Sequence, residues 1–334
     1  MNVCLGLDIG SHYIKIVEGY AKKGKFFVKT AGIIHNPLPR GHINLNENSQ
    51  KQFSVFLKEF LRKISIKRKE TVCGISGNGL IIHYFDIPDI PSEEIESTVE
   101  LEVLQVIPGG VEKIEYDYTV LPSVQGKRTV MLVGLPKPKC DFFVNTLLLS
   151  GLRPVIMDIG GLALANCYRT LSNNSYGDVA IIDVGASHTV LAITEKNGFV
   201  FVRDIDFGGD NVNIEISKLK KISVSEAEQF KKNPGFRDEV EKILRNTMGD
   251  ILQEILTSIK YVETRTQKKI EKFLLTGGSS LLPGFVKIVE ENLGISGDLW
   301  KPMEGLYQYC KTDQPQCLEV CFSQALGLVA RKLI

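Results

Sequence analysis

Two short stretches of the sequence combine aspartate, glycine and small polar residues in a pattern suited to binding phosphate. The first, LGLDIGSHYIKI, places Asp8, Gly10, Ser11 and Lys15 between two apolar runs that are typical of strands. Glycine lets the backbone approach a ligand closely, and successive backbone N–H groups then point at an anion such as phosphate. Lys15 adds a positive charge for the same anion. The stretch therefore predicts a phosphate-binding turn between two strands.

The second stretch, AIIDVGASHTVLAI, repeats this outline about half a chain length later and contains Asp183, Gly185, Ala186 and Ser187. Aspartates repel phosphate directly, but they suit a hydrated Mg²⁺ ion, which keeps several waters and bridges phosphates. We therefore predict that Asp8 and Asp183 hold Mg²⁺ through water, in a cleft between two similar halves. The alternative is that both stretches are ordinary hairpins with Asx turns.

A third glycine site, FLLTGGSSLLPGF, lies where a predicted strand gives way to a helix. Its residues Gly277, Gly278 and Ser279 allow a flat base or a phosphate to lie against the backbone. The sequence contains neither a G-x-x-x-x-G-K-[ST] nor a G-x-G-x-x-G motif, which excludes the P-loop and Rossmann interpretations.

The composition is typical of a soluble globular protein. Of 334 residues, 43% are hydrophobic and 24% are charged, and the formal net charge is +1. This balance implies no broad field for nucleic acid or membrane, and no apolar run approaches the roughly 18 residues of a membrane span. The basic run RKISIKRKE, residues 62–70, is interpreted as a solvated helix end.

Cysteine usage and the N-terminal segment indicate the compartment. The seven cysteines form no C-x-x-C pair, and the N-terminal segment enters a strand without a basic leader. We therefore expect no disulfide framework, no zinc site and no signal peptide, and we expect the reducing cytosol as the compartment.

The elements that must position the motifs fall into three parts. Strands lead into and out of each aspartate turn, and a helix over 49–64 carries an apolar face. Between the turns lies a compact α+β segment, with a helix from Glu93 to Ile107 that Ser92 caps, a hairpin, and a helix that Gly151 closes. The predicted parts are a first half over 1–84, an inserted subdomain over 85–154 and a second half over 155–334.

The three glycine sites, in this order, resemble those of the superfamily of actin, sugar kinases and heat-shock chaperone ATPases. The early position of the small subdomain resembles the cell-division protein FtsA and, more closely, the PilM proteins of type IV pilus assembly. That resemblance runs over the whole chain and is carried by IPSEEIESTVELEVLQVIP, FGGDNVNIEI, SEAEQFKK and LTGGSSLLPGF. It implies an α/β, actin-like ATPase fold, in which two duplicated halves surround a nucleotide cleft that binds ATP and Mg²⁺.

The resemblance also implies further site residues. In the superfamily, a glutamate and a lysine at the spacing of Glu228 and Lys231 flank the nucleoside, the glutamate at the ribose hydroxyls and the lysine along the base. The alternative is a surface ion pair on a helix. Gly208 and Gly209 resemble a glycine turn near the phosphates, or they form a plain turn. His12, at the tip of the first turn, is interpreted either as a phosphate contact or as a structural residue.

One departure from the family pattern bears on catalysis. Where the family has Asp, a hydrophobic residue and Glu, this chain has Asp158, Ile159 and Gly160. Positioning the attacking water is a large part of phosphoryl-transfer catalysis. We therefore expect ATP hydrolysis to be slow at most, with Asp158 as the candidate catalytic residue.

Three functions are compatible with these features. The first is an ATP- and Mg²⁺-binding scaffold of type IV pilus assembly, which docks the N-terminal cytoplasmic tail of a PilN-like inner-membrane protein. The resemblance implies that this tail lies in a groove between the core and the inserted subdomain. Such a protein lies in the cytoplasm and at the inner membrane through its partner, without nucleic acid or a membrane span, and its self-association is left open. The second is a sugar or metabolite kinase, for which no substrate-cleft aspartate is evident. The third is an FtsA-like, membrane-associated filament protein.

The C-terminal stretch CFSQALGLVARKLI separates the first function from the third. FtsA ends in a linker and an amphipathic membrane helix, whereas this stretch continues directly from the core. Leu326, Leu328 and Val329 are therefore predicted to pack on the core rather than to enter lipid.

Overall fold

The computed structural model describes residues 3–23, 25–38, 46–107, 111–123, 126–171, 177–196, 198–305, 310–311 and 319–333. Within these ranges the helices are α1 (Glu47–Lys63), α2 (Ser92–Val106), α3 (Lys137–Leu149), α4 (Gly160–Leu171), α5 (Gly209–Lys220), α6 (Val224–Lys232), α7 (Arg237–Thr247), α8 (Gly249–Thr266), α9 (Phe285–Leu293) and α10 (Ser323–Leu333). The strands are β1 (Val3–Ile9), β2 (Tyr13–Lys22), β3 (Lys25–His35), β4 (Glu70–Ile75), β5 (Ile81–Ile87), β6 (Ile114–Val120), β7 (Arg128–Pro136), β8 (Arg153–Ile159), β9 (Val179–Val184), β10 (Thr189–Thr194), β11 (Val200–Ile205), β12 (Lys272–Thr276), β13 (Ser296–Leu299) and β14 (Cys310–Lys311). None of these helices combines the length and the apolar character needed to cross a bilayer.

The first sheet has the strand order β14-β3-β2-β1-β4-β8. β1 pairs antiparallel with β2 and parallel with β4, and Asp8 lies opposite Lys15. Side chains alternate between the two faces along β1, so Leu5 and Leu7 pack with residues of α1 and α3, while Gly6 faces α10. The hairpin predicted around the first aspartate is confirmed.

The second sheet, in the order β11-β10-β9-β12-β13, repeats this plan. β9 pairs antiparallel with β10 and parallel with β12, as β1 does with β2 and β4. Both β9 and β10 are buried along their whole length in the core of this half. The two aspartate turns therefore follow equivalent strands, as the sequence repeat predicts.

Two helices fill the space between the sheets. α10 covers β1, β2 and β4 and packs along α4, which in turn contacts β10 and β11. The helices approach closely because Gly327 has no side chain, since a Cβ there would lie 1.7 Å from the carbonyl oxygen of Ala163. Leu326, Leu328 and Val329 are buried, which confirms that this stretch packs on the core.

A three-stranded sheet in the order β5-β7-β6 lies between the first and second halves in sequence. One face packs against α2 through Ile95, Val99 and Val103. The other face packs on the second half, where the Tyr84 hydroxyl accepts a hydrogen bond from the backbone N–H of Val202 at 2.7 Å. This sheet is therefore a separate layer with its own small core.

Two details of the insertion go beyond the sequence. The sheet and α2 span 81–136, whereas α3 packs its buried residues, such as Phe142 and Leu147, with α1 in the core of the first half. The prediction that Ser92 caps α2 is wrong. Ser92 is the first helical residue, and Pro91 takes the cap position without a side-chain hydrogen bond. The fixed φ of proline, here −55°, lets the helix begin directly after it.

Candidate functional site

A cavity of about 340 Å³ lies where the two aspartate turns face each other. Its wall contains most of the residues that the sequence predicts for the site, and they come from three turns, the strand ends beside them and one helix. They are Asp8, Gly10, Ser11, His12, Lys15, Asp183, Gly185, Ala186, Glu228, Lys231, Gly277, Gly278 and Ser279. The fold thus brings three sequence motifs to one place.

The first turn is held rigidly at the cavity. The ammonium of Lys15 lies 2.6 Å from Oδ2 of Asp8, across the β1–β2 pair. Burial alone would lower the pKa of Lys15, but the charge of Asp8 raises it above the usual value. The buried Asn36 donates from its side-chain amide to the carbonyl oxygen of Gly10 at 2.8 Å. The turn therefore presents a fixed, charged lysine.

The second turn is tied to the helix between the sheets. Oδ2 of Asp183 accepts hydrogen bonds from Ser323 Oγ and Gln324 Nε2, each at 3.0 Å. Both donors lie in the first turn of α10, where the helix dipole favours a negative charge. Burial raises the pKa of the Asp183 carboxyl group. Asp183 thus contacts the cavity and anchors α10 at the same time.

Gly208 and Gly209 lie behind the second turn and do not line the cavity. The N–H of Gly209 donates to the carbonyl oxygen of Gly185 at 3.1 Å, and Ser279 Oγ donates to the same oxygen at 2.7 Å. A Cβ on Gly208 would lie 2.3 Å from the carbonyl oxygen of Ala186. The glycine pair therefore supports the second turn by allowing close backbone packing.

Glu228 and Lys231 form the ion pair that their spacing predicts, and both also line the cavity. Oε2 of Glu228 lies 2.6 Å from the ammonium of Lys231 and accepts from the Asn213 amide at 2.7 Å. Desolvation opposes ionisation of Glu228, but Lys231, Lys232 and Asn213 together lower its pKa to about 2. Lys231 also donates to the carbonyl oxygen of Gly209 at 3.1 Å. The carboxylate is therefore charged at neutral pH.

A histidine bridges the two halves at the cavity wall. Nε2 of His188 lies 2.9 Å from Oγ of Ser76, which directly follows β4 in the first half. Nδ1 of the same ring lies 3.1 Å from Oγ of Ser187, a predicted site residue that does not itself line the cavity. The next residue after Ser76, Gly77, donates its N–H to the carboxylate of Asp204 on β11. These contacts join the halves at the root of the inserted sheet.

Part of the wall consists of residues that sequence reasoning missed. Some directly follow Lys231 in the chain and others follow the glycine pair of the third site, so extending each motif by a few residues would have found them. Ser76 and Gln324 carry no local signal, because only the fold brings them to the cavity. Missed residues include Ser76, Asn233, Arg237, Leu281, Cys321 and Gln324.

Comparison with protein families identifies the chain. The family model described as type IV pilus assembly protein PilM matches residues 6–333. The chain belongs to the PilM family. Among curated relatives, FtsA of Streptococcus pneumoniae serotype 2 (strain D39 / NCTC 7466) is 22% identical over 343 residues, which cover 89% of this chain and 75% of that protein. FtsA of Bacillus subtilis (strain 168) is also 22% identical, with coverage of 86% and 76%.

Solved structures confirm the fold of this PilM-family chain. A chain of a PilM–PilN type IV pilus biogenesis complex superposes with a TM-score of 0.83 at 22% identity, covering 99% of this chain and 98% of that chain. An archaeal actin homologue solved in complex with ADP gives a TM-score of 0.50 at 14% identity, with 99% of both chains covered. The actin-like fold predicted from the sequence is therefore confirmed.

Asp158 of the PilM-family chain lies on β8, level with Asp8 and separated from it by β4. Its Oδ1 accepts from the N–H of Ile159 at 2.9 Å, and its Oδ2 lies 3.4 Å from Nε of Arg331. Burial raises the pKa of its carboxyl group. Asp158 is not among the residues that line the cavity, so the structure does not bring this predicted catalytic residue to the site.

Gln324 takes up the space beside Gly160, where the family pattern has glutamate. A Cβ on Gly160 would lie 2.6 Å from Gln324 Oε1. Gln324 is buried and holds Asp183, so it has little freedom to move aside. The side-chain carbonyl of Gln324, on α10, therefore occupies the space beside position 160, and a side chain at that position would collide with it.

We expect Gly160→Ala to cost about 1 kcal/mol more in the natural sequence than in a Gln324→Ala background, because the added methyl group displaces the Gln324 amide from Asp183. Urea unfolding of the two single variants, the double variant and the parent protein measures this difference. If the two substitutions are strictly additive, Gln324 does not occupy the space at position 160.

Proposed function

We propose that this chain is a nucleotide-binding scaffold of type IV pilus assembly. It binds ATP with Mg²⁺ in the cavity and docks the N-terminal cytoplasmic tail of a PilN-like inner-membrane protein on its inserted sheet. The observation that carries the nucleotide site is the pair of equivalent aspartate turns, which face one cavity together with a third glycine turn. In this proposal the protein lies in the cytoplasm and is held at the inner membrane through the tail.

The phosphate end of the nucleotide is assigned to the space between the two turns. Lys15 supplies the positive charge, and Gly10 leaves room for it, since a Cβ there would lie 3.0 Å from the lysine ammonium. At the third site, Gly277 has a φ of +87°, and a Cβ there would lie 2.2 Å from Asp183 Oδ1. Side chains at these positions would press on Lys15 and on the Asp183 carboxylate, so the two glycines keep both charged groups in place at the wall.

The donor set fits a hydrated Mg²⁺ ion. Lys15 contacts Oδ2 of Asp8, and the hydrogen bonds from α10 engage Oδ2 of Asp183. The Oδ1 atoms of Asp8 and Asp183 would hold waters of the ion, which would offset the negative charge of the phosphates. Within the described residues, no group of three or more His, Cys, Asp or Glu side chains is arranged to hold a metal directly.

The nucleoside end is assigned to α6 and its neighbours. The charged carboxylate of Glu228 accepts hydrogen bonds from the ribose hydroxyls, and the stem of Lys231 lies along the base. Leu281, which lines the same cavity and follows the glycine pair, offers an apolar surface to the base. ATP turnover is expected to be slow, because Asp158 faces Arg331 and position 160 is glycine.

Thermal unfolding with and without Mg-ATP tests the nucleotide site. A ligand at about a thousandfold over its dissociation constant stabilises the folded state by about 4 kcal/mol, so the melting temperature should rise by several degrees. Mg²⁺ with GTP and Mg²⁺ alone are the controls for base selectivity and for the metal. A melting temperature that does not change at millimolar Mg-ATP contradicts the site.

The free edge of β6 is the position that we assign to the tail. β6 is an edge strand whose partner in the sheet is β7. Leu121, directly after β6, donates its N–H to Thr129 of the β7 strand at 2.8 Å. Because N–H groups alternate in direction along a strand, those of Tyr116 and Tyr118 point away from β7. The N–H of Tyr118 is held by the Asp117 side chain at 2.8 Å, and an extended peptide added to this edge would replace that contact.

We expect Tyr118→Pro to weaken tail binding about tenfold relative to Tyr118→Ala, because both variants lose the ring but only proline lacks the N–H at the edge. Fluorescence anisotropy with a labelled tail peptide measures the affinity, which we expect to be roughly micromolar for the parent protein because a disordered tail loses entropy on binding. Mg-ATP should stabilise both variants as it does the parent protein. Equal affinities of the two variants would place the tail elsewhere.

A further inference from the structure

We propose that the end of the first sheet farthest from the cavity binds directly to the anionic surface of a membrane. This basic end consists of Lys22, Lys25, Arg62, Lys63, the segment 67–69 and Arg153, all exposed apart from Arg68. The contact is additional to the tail and does not depend on the nucleotide site. The sequence interpretation of residues 62–70 as a solvated helix end considered that run alone, and Arg62 and Lys63 do lie exposed at the end of α1.

The strand register brings these residues to one end of the sheet. β1 and β4 are parallel with Leu5 opposite Thr71, so the segment 67–69 lies beside the start of β1. β1 and β2 are antiparallel with Val3 opposite Tyr20, so the turn between β2 and β3 lies at the same end. Five adjacent strands, from β3 to β8, spread the charges over about 19 Å, given the usual spacing of strands.

The carboxylate of Glu70 contacts several of these cations. Glu70 forms ion pairs with Arg68, Arg153 and Lys332. The hydrogen bond from Lys332 is the main cause that lowers the pKa of Glu70 to about 2, with the nearby arginine charges adding to it. The protein has a net charge of only +1, so the surplus of cations here is offset by acidic residues elsewhere. The net charge of the protein therefore does not reveal that cations are concentrated at this end of the first sheet.

Apolar side chains lie among the cations. Leu148 and Leu149, near the start of β8, are 52% and 53% exposed, and Phe27 on β3 is 38% exposed. Leu148 is joined to the segment before Arg153, because the N–H of Gly151 donates to its carbonyl oxygen at 3.0 Å. Cations around exposed apolar side chains match the boundary between lipid headgroups and acyl chains. Nucleic acid would engage the cations through phosphate but would leave the leucines in water, so we favour the membrane.

The orientation that follows is compatible with the rest of the molecule. β1 begins at the basic end and finishes at the first aspartate turn, so its seven residues separate the two sites by about 23 Å. A membrane bound at the basic end leaves the cavity on the far side, open to solution.

Vesicle flotation of the 334-residue chain tests the proposal. Vesicles that contain phosphatidylglycerol should bind the protein at low salt, and vesicles of phosphatidylcholine alone should not. Each basic residue near an anionic surface is worth about a fivefold change in partitioning, so Lys67→Glu with Lys69→Glu should weaken binding by at least about 25-fold. The matched control, Lys242→Glu with Lys260→Glu on exposed positions of α7 and α8, should bind like the parent protein.

Two further measurements distinguish the alternatives. Leu148→Ser with Leu149→Ser should reduce the binding that persists at high salt, and all variants should keep the parent's melting temperature within a few degrees. Absence of flotation with phosphatidylglycerol vesicles overturns the proposal, as does an equal loss in the control variant. Duplex DNA or RNA that displaces the protein completely from such vesicles, at equal phosphate concentration, would assign the basic end to nucleic acid instead.

Discussion

Asp183→Ala is expected to remove most of the stabilisation that Mg-ATP gives to the protein. Asp183 lines the cavity at the end of β9, and its carboxylate is the group that we assign to the waters of Mg²⁺. If the variant binds Mg-ATP a hundredfold more weakly, about 1.4 kcal/mol remains of a stabilisation of roughly 4 kcal/mol. Thermal unfolding with Mg-ATP, and with ATP plus a chelator, measures the loss.

The control for this variant is Ser323→Ala, which removes one hydrogen bond to the same carboxylate and keeps the carboxylate itself. It should lower the free energy of unfolding by roughly 1–2 kcal/mol without changing the dependence on Mg²⁺. If Asp183→Ala loses ATP binding equally with and without Mg²⁺, the residue acts only by anchoring α10.

Gly327→Ala is expected to give the largest loss of stability of any single substitution considered. The new Cβ would lie 1.7 Å from the backbone oxygen of Ala163, and a backbone atom cannot rotate away. α4 and α10 must then move apart, which disturbs the buried contacts of both sheets. Overpacking of a core typically costs 1–3 kcal/mol, and we expect roughly 3 kcal/mol or more here. Urea unfolding with a fitted m-value measures it.

Gly249→Ala is the matched control for Gly327→Ala. Gly249 begins α8, and a Cβ there would meet no atom within 4 Å. Alanine should therefore stabilise the protein by up to about 1 kcal/mol, because it restricts the unfolded chain and favours the helix. If Gly327→Ala leaves the free energy of unfolding unchanged, α4 and α10 lie farther apart than the distance of 1.7 Å between the added Cβ and the Ala163 oxygen implies.

The sequence was sufficient to predict the two aspartate turns, because each is a local pattern of two strands and a glycine. Their equivalence could also be predicted, since the same pattern occurs twice and each copy needs a partner strand. The assignment of α3 could not be made in this way. Its apolar residues fit either core, and only the packing of Phe142 and Leu147 with α1 distinguishes them.

The parts of the site that sequence reasoning missed depend on contacts between distant residues. Gln324 lies in a helix whose pattern predicts only burial, and its amide reaches Asp183 because α10 begins at that point of the second sheet. Ser76 has no motif of its own and gains a place at the cavity through His188. The error at Ser92 has a local cause, because serine is a common cap but the preceding proline can start a helix itself.

The hydrogen bond between His188 and Ser76 links the wall of the cleft to the segment that leads into the inserted sheet. His188 belongs to the second half, and Ser76 is five residues before the first residue of β5. Gly77 and Gly79 lie between Ser76 and β5. Their φ angles of +79° and +84° are in the left-handed region, which glycine adopts without strain. If the cleft widens, either the contact between His188 and Ser76 breaks or the segment that leads from Ser76 into β5 is pulled with it. The contact between His188 and Ser76 therefore couples the width of the cleft to the segment that carries the β5-β7-β6 layer.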